Sequence, residues 1–375
     1  MTVNVVHAEL NALYVRASKR FARVSSHARA VEYVFWLIRM GGSDIHDRAL
    51  VRPSKQMQRM LGLTAWDIDG VRDDVRTYVA DRLGSRHGLL LIGAPEFGSS
   101  RRRQALAVPP TEGGGHGNIG VFLVYASPKG YAAIDRELYT AESRTGGGAG
   151  CQMTGIPEDL EQATMPSLIQ DMLERAVSGY VPFAWVIVGA EFREWGDVRA
   201  WLKQRNISYV SVIRNSDEVS ALNGCCTRAD RLINEVPPHL WRRPPIDVGT
   251  ISSRQYSWTR VKIQNSQVPG REHWLLAGRA IIGQESTDYF LCYGRRSTTL
   301  NELANAASSS HLLGECLKEA KRDVGLTLFD FDSWRTWYAH TTLSMLGFAG
   351  LAGAKARMLD EDPALSPQTY EENSD

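Results

Sequence analysis

The chain has 375 residues, 43% hydrophobic and 23% charged, with 43 basic and 42 acidic side chains giving a formal charge of +1. That length supplies core for two or three domains and excludes a disulfide-stapled miniprotein. The longest apolar stretch, Leu343 to Ala352, is too short and too interrupted by glycine to span a bilayer, so no membrane partner is expected.

From residue 10 to about 85 the pattern is helical, with Ile68, Val71, Val75, Tyr78, Val79 and Leu83 recurring at three- and four-residue spacing. At Gly88 the texture changes to LLLIGAPEF, an apolar run bounded by Gly and Pro that reads as a buried strand. Two more strands are expected at 121–127 and 130–138, joined by the turn Pro128-Lys129-Gly130. A helix at 168–177, a strand at 183–189, a helix at 197–205 and a strand at 208–214 follow. The order β-β-β-α-β-α-β predicts an α/β fold with a ribonuclease-H-like mixed sheet, a helical amino-terminal domain and a β-rich insertion.

The expected divisions are 1–86 for the helical domain, 87–214 for the first part of the core and 215–296 for the insertion. Helices at 300–322 and 333–352 complete the core within 297–355, and 356–375 reads as a disordered acidic tail. Six acidic and no basic residues lie from residue 360 onward, leaving a body of +7. The first residues lack a basic segment followed by a long apolar one, so a cytoplasmic location is expected. Cys151, Cys225, Cys226, Cys292 and Cys316 show no CxxC spacing and read as reduced thiols, the adjacent pair included.

Gly115 to Gly120 satisfies GxGxxG, but a strand follows it where a dinucleotide site needs a helix, so it reads as a loop. There is no GxSxG, P-loop or HExxH, and the nine histidines are scattered. No cofactor and no metal site is therefore expected. Trp334, Trp337 and Tyr338 at helical spacing read as core. Arg101, Arg102 and Arg103, following Gly98-Ser99-Ser100, form a candidate anion cradle against the plainer reading of a solvated charge run.

With these segments laid out, the chain resembles bacterial insertion-sequence transposases of the DDE class. The stretches that carry the resemblance are FARV at 21–24, WDIDGVRDDVRTYV at 66–79, GNIGVFLVYASPKGYAAIDRELY at 117–139, GIPEDLEQATMPSLIQDMLERA at 155–176, VPFAWVIVGAEF at 181–192, and the long block at 315–346. The resemblance implies a ribonuclease-H-like domain in which three carboxylates hold two divalent ions for phosphodiester cleavage. The family's first Asp falls at Gly93 in Leu91-Ile92-Gly93-Ala94-Pro95-Glu96-Phe97, and its second, four residues after Trp185, at Gly189. Its Tyr-x2-Arg-x3-Glu-x6-Lys helix, anchored on Lys321, puts Ala307, Ser310 and Gly314 at the Tyr, Arg and Glu positions. Sliding the alignment onto Glu315 would turn the side chain by about 100° on a helix, so three glycines stand where carboxylates are needed.

The resemblance therefore implies a transposase scaffold that is neither an active transposase nor a nuclease. The favoured expectation is a repurposed, metal-independent enzyme acting on a small metabolite by ring closure, elimination or isomerisation, in a natural-product setting. Glu96, Glu191, His311, Glu315 and Lys321 would supply its acid and base groups. The alternative is a DNA-binding relic or regulator without cleavage. The sequence leaves open whether a small partner protein completes the site.

Overall fold

The computed structural model describes residues 3–41, 53–63, 65–94, 118–140, 163–190, 196–222, 224–243, 256–264, 268–281, 286–327 and 333–361. In chain order the longer elements are helices α1 (Val3–Ala17), α2 (Val24–Met40), α3 (Lys55–Gly62) and α4 (Ile68–Leu83), then strands β1 (Leu89–Gly93), β2 (Asn118–Ser127) and β3 (Gly130–Thr140). Helix α5 (Met165–Ser178), β4 (Trp185–Val188), α6 (Gly196–Gln204) and β5 (Tyr209–Ile213) follow. Next come β6 (Glu218–Ser220), β7 (Cys226–Arg228), α7 (Ala229–Asn234), β8 (Tyr256–Lys262), β9 (Arg271–Ala280) and β10 (Thr287–Arg295). Helices α8 (Leu300–Ser308), α9 (Leu312–Val324) and α10 (Trp334–Glu361) close the chain. The fold is mixed α/β of the ribonuclease-H-like kind, with β1, β4 and β5 mutually parallel.

Local chemistry sets the helix starts. The Asp67 carboxylate accepts from the Gly70 N–H at the head of α4, and reciprocal capping boxes, Thr164 with Ser167 and Thr299 with Glu302, begin α5 and α8.

The chain divides into two compact units. The first comprises Met1–Ser85, Gly93–Pro182 and Leu313–Pro363. Its spine is α10, buried from Trp337 to Ala354 and packed by α1, α2, α3, α4 and β3. Gly350 and Gly353 permit this closeness: a Cβ at either would collide with Leu10 or with the Tyr78 hydroxyl. Strands β2 and β3 form an antiparallel hairpin whose turn residue Gly130 has φ +131°.

The second unit comprises Arg86–Ile92, Phe183–Leu312 and Ala364–Asp375. Its strands run in the order β1-β4-β5-β10-β9-β8, with β10, β9 and β8 successively antiparallel. A satellite core of Ile213, Val219, Ala229, Ile233, Leu275 and Tyr289 supports the insertion. Among the described residues no helix is long and apolar enough to cross a membrane.

Several boundaries differ from expectation. Strand β2 begins at Asn118, so Asn118-Ile119-Gly120 of the glycine motif is strand rather than loop; 115–117 lie outside the described residues. The helix expected over 300–322 is two helices broken by a 3-10 turn at Ser309–His311. There Ser309 Oγ donates to the Asn305 carbonyl and His311 bonds the Ser308 carbonyl, so side chains compete with the backbone ladder. Helix α10 runs on to Glu361, past the last apolar residue of the expected span, because the Ala, Lys, Arg, Met and Leu that follow are strong helix formers.

Candidate functional site

In an open α/β sheet the chemistry collects at the carboxyl ends of parallel strands. Strands β1 and β4 lie side by side in register, Ile92 opposite Val188, and the Gly189 N–H donates to the Ile92 carbonyl across 3.3 Å. Gly93 is the buried last residue of β1 and Gly189 directly follows β4, so these two glycines lie at the ends of neighbouring strands. Gly314 is exposed in the first turn of α9, where a Cβ would meet no atom within 4 Å.

Hard divalent cations need several oxygen ligands, and glycine offers no side-chain oxygen. Among the described residues no three His, Cys, Asp or Glu side chains are grouped to hold a metal ion. The donors present at the described positions therefore do not fit a two-metal centre.

Of the acid and base residues expected from the sequence, Glu96 and Glu191 lie outside the described residues, as do Arg101, Arg102 and Arg103. His311 ends the 3-10 turn of the second unit, half-buried. Glu315 and Lys321 belong to the first unit, on α9. There Glu315 adds its charge to that of Glu319 near Tyr131, whose phenol is pushed up first by burial and then by these neighbours. Lys321 sits six residues further along the same helix, in its last turn. Because the 3-10 turn interrupts the helix, Ala307, Ser310 and Gly314 do not share one continuous helical face, contrary to the spacing expected of the signature.

The sequence reading missed a buried charge network in the first unit. Asp135, fully buried on β3, accepts from Arg175 at 2.8 and 3.0 Å and from Arg76 at 3.3 Å, with Arg72 at 3.7 Å. Arg136, also fully buried, donates to Asp69 at 3.0 Å and lies 4.7 Å from the centre of the Tyr338 ring. Glu137 accepts from Arg175 and from the Tyr338 hydroxyl, and burial holds its pKa above the usual carboxylate range despite Arg175 and Arg136. Burial alone would raise Asp69, but Arg136 and Arg72 outweigh it and hold its pKa down. The signal was present in α4, where Asp69, Arg72, Asp73 and Arg76 alternate in sign at helical spacing. Its balanced charges mark it as a clamp of α4 and α5 onto β3. Trp337 and Tyr338 are core, as expected, whereas Trp334, expected with them, is only half-buried.

A family model described as DDE superfamily endonuclease matches residues 48–268. That is more than half of the chain, and the chain belongs to this family. Among solved structures it is similar to a piggyBac transposase in a synaptic complex with hairpin DNA, at 12% identity and TM-score 0.42 over 96% of this chain and 74% of that one. It is also similar to the NurA nuclease from Sulfolobus solfataricus, at 10% identity and TM-score 0.28 over 64% of this chain and 82% of that one. No curated protein matches the chain.

Proposed function

We propose that this chain is a DDE-superfamily protein that engages DNA without cutting it, the phosphodiester chemistry having been lost with the carboxylates at Gly93, Gly189 and Gly314. The observation that carries the reading is the Gly189 to Ile92 hydrogen bond, which brings together the strand ends at Gly93 and Gly189, where the resemblance puts two of the family's metal-binding carboxylates. Family membership and the +7 body support a polyanionic partner. The test is titration of a labelled DNA duplex in Mg²⁺, followed by denaturing electrophoresis of the bound fraction. Salt-sensitive binding with intact strands is expected. Absence of binding at low salt, or strand scission, overturns the reading.

One observation favours the second reading, a metal-independent enzyme on a small metabolite. A cavity of about 400 Å³ opens at the carboxyl end of β5, lined in part by Arg214, Asn215, Asp288, Tyr289 and Ser310, the residue before His311. Its lining mixes these polar groups with Val212, Ile213 and Phe290, which suits a metabolite-sized ligand. Activity lost in Asp288→Asn and His311→Gln while DNA binding is absent would establish it in place of the first.

A further inference from the structure

The amino-terminal pole of the parallel strands in the second unit carries a charge that the nearly neutral chain does not foretell. Strand directions fix which segments meet there. The loop before β1 brings Arg86, the end of α6 and its turn bring Lys203 and Arg205, β9 begins at Arg271 and β10 ends at Arg295. The register is explicit: Tyr293 pairs with both Tyr209 and His273, and Arg295 lies directly opposite Arg271. Among the described segments of this pole Glu272 is already held by Lys262 at 2.9 Å and Arg296 at 3.0 Å, and Glu302 caps α8 by accepting from Thr299.

Arg271 is positioned by neutral groups. Arg271 donates to Ser208 Oγ at 2.8 Å and to the Asn206 carbonyl at 2.6 Å, and its guanidinium stands 5.5 Å from the Tyr293 ring centre. Asn206 presents that carbonyl from a left-handed turn, φ +57°, which asparagine tolerates. Like charges directly opposite in a ladder destabilise a sheet. Burial and then Arg295 accordingly pull Arg271 below its ordinary pKa, and Lys203 adds to the burial that keeps His273 neutral. An arrangement that repels itself and is braced by neutral contacts favours an external anion.

Breadth and residue type indicate which anion. From β1 to β9 there are four inter-strand steps, roughly 19 Å at about 4.8 Å each, too wide for one small anion and suited to a charged polymer. Arginine predominates, and its planar fork matches phosphate oxygens.

We propose that this pole binds the phosphodiester backbone of duplex DNA, with Arg271 and Arg295 as its principal phosphate contacts. The assignment rests on the reading that the chain engages DNA, and it names the surface. It lies at the end of the strands opposite Gly189, so DNA held here is held away from the position of the family's chemistry.

The test measures affinity for a labelled duplex as a function of salt. The double variant Arg271→Gln/Arg295→Gln should bind at least about tenfold more weakly, with a log–log salt slope smaller by about two, one for each lost phosphate contact. Arg231→Glu, an exposed charge reversal on α7, should stay within about twofold of wild type. Lys203→Gln/Arg205→Gln, which leaves the sheet intact, should show the same direction of change and decides the matter if the first pair fails to fold. Wild type that does not bind at low salt overturns the DNA reading itself. Wild type that binds while both folded double variants keep its affinity and slope overturns only this surface. Competition by inorganic pyrophosphate beyond its ionic-strength effect would replace the polymer with a small phosphate-containing anion and likewise overturn it.

Discussion

Gly189 and Ile92 are joined by a backbone hydrogen bond of 3.3 Å across the carboxyl ends of β4 and β1. The contact aligns the end of β4 with the residue before Gly93, so Gly93 and Gly189 lie at neighbouring strand ends. A glycine is required where a side chain would clash or φ is positive. Gly314 meets neither condition, since a Cβ there faces open space and its backbone is helical.

The first prediction follows. Gly314→Glu should raise stability by about 1 kcal/mol, because glycine is a poor helix former and a carboxylate in the first turn of α9 favours the helix dipole. Denaturant unfolding of the two proteins checks it. A loss of stability would mean that the fold itself demands glycine at this position.

The second concerns the clamp on β3. Asp135→Asn removes the charge that faces Arg72, Arg76 and Arg175 inside the protein, and breaking a buried pair from one side costs roughly 3–5 kcal/mol. Urea midpoints should fall accordingly, with DNA affinity per folded molecule unchanged.

This network also shows where the sequence was legible. LLLIG at 89–93 and the apolar runs of β2 and β4 identify themselves, since a strand buried on both faces has no room for polar side chains. Asp135-Arg136-Glu137 looks like an exposed strand end by the same logic. Its burial depends on partners brought from α4 and α5, about 60 residues before and about 40 after in sequence, which no local pattern encodes. The serine-rich break between α8 and α9 was hidden for a different reason: serine is only mildly unfavourable in a helix, and the outcome turned on two side-chain bonds. The assignment of Gly93, Gly189 and Gly314 to the family's carboxylate positions rests on the resemblance alone, and the basic pole was not legible, because its cations come from segments far apart in the chain.

A third prediction concerns pH. His340 is fully buried between the Tyr33 hydroxyl and the Gly325 carbonyl, and burial lowers its pKa from 6.5 to about 4. The unfolded chain gains this proton below about pH 6.5 while the folded chain resists it until about pH 4, so stability falls as pH drops through that window. The loss is on the order of 3 kcal/mol at full effect. Unfolding at pH 7 and pH 4.5 should show it, and the pH dependence should become shallower in His340→Gln, with His273 supplying a remainder, even though that variant is less stable at pH 7.

The most direct test of the central claim is incubation of the purified protein with supercoiled plasmid in Mg²⁺ or Mn²⁺, under salt conditions where the plasmid is bound. The plasmid should be retained by the protein and recovered fully supercoiled. Nicked or linear product that appears with the metal and disappears with a chelator would contradict it.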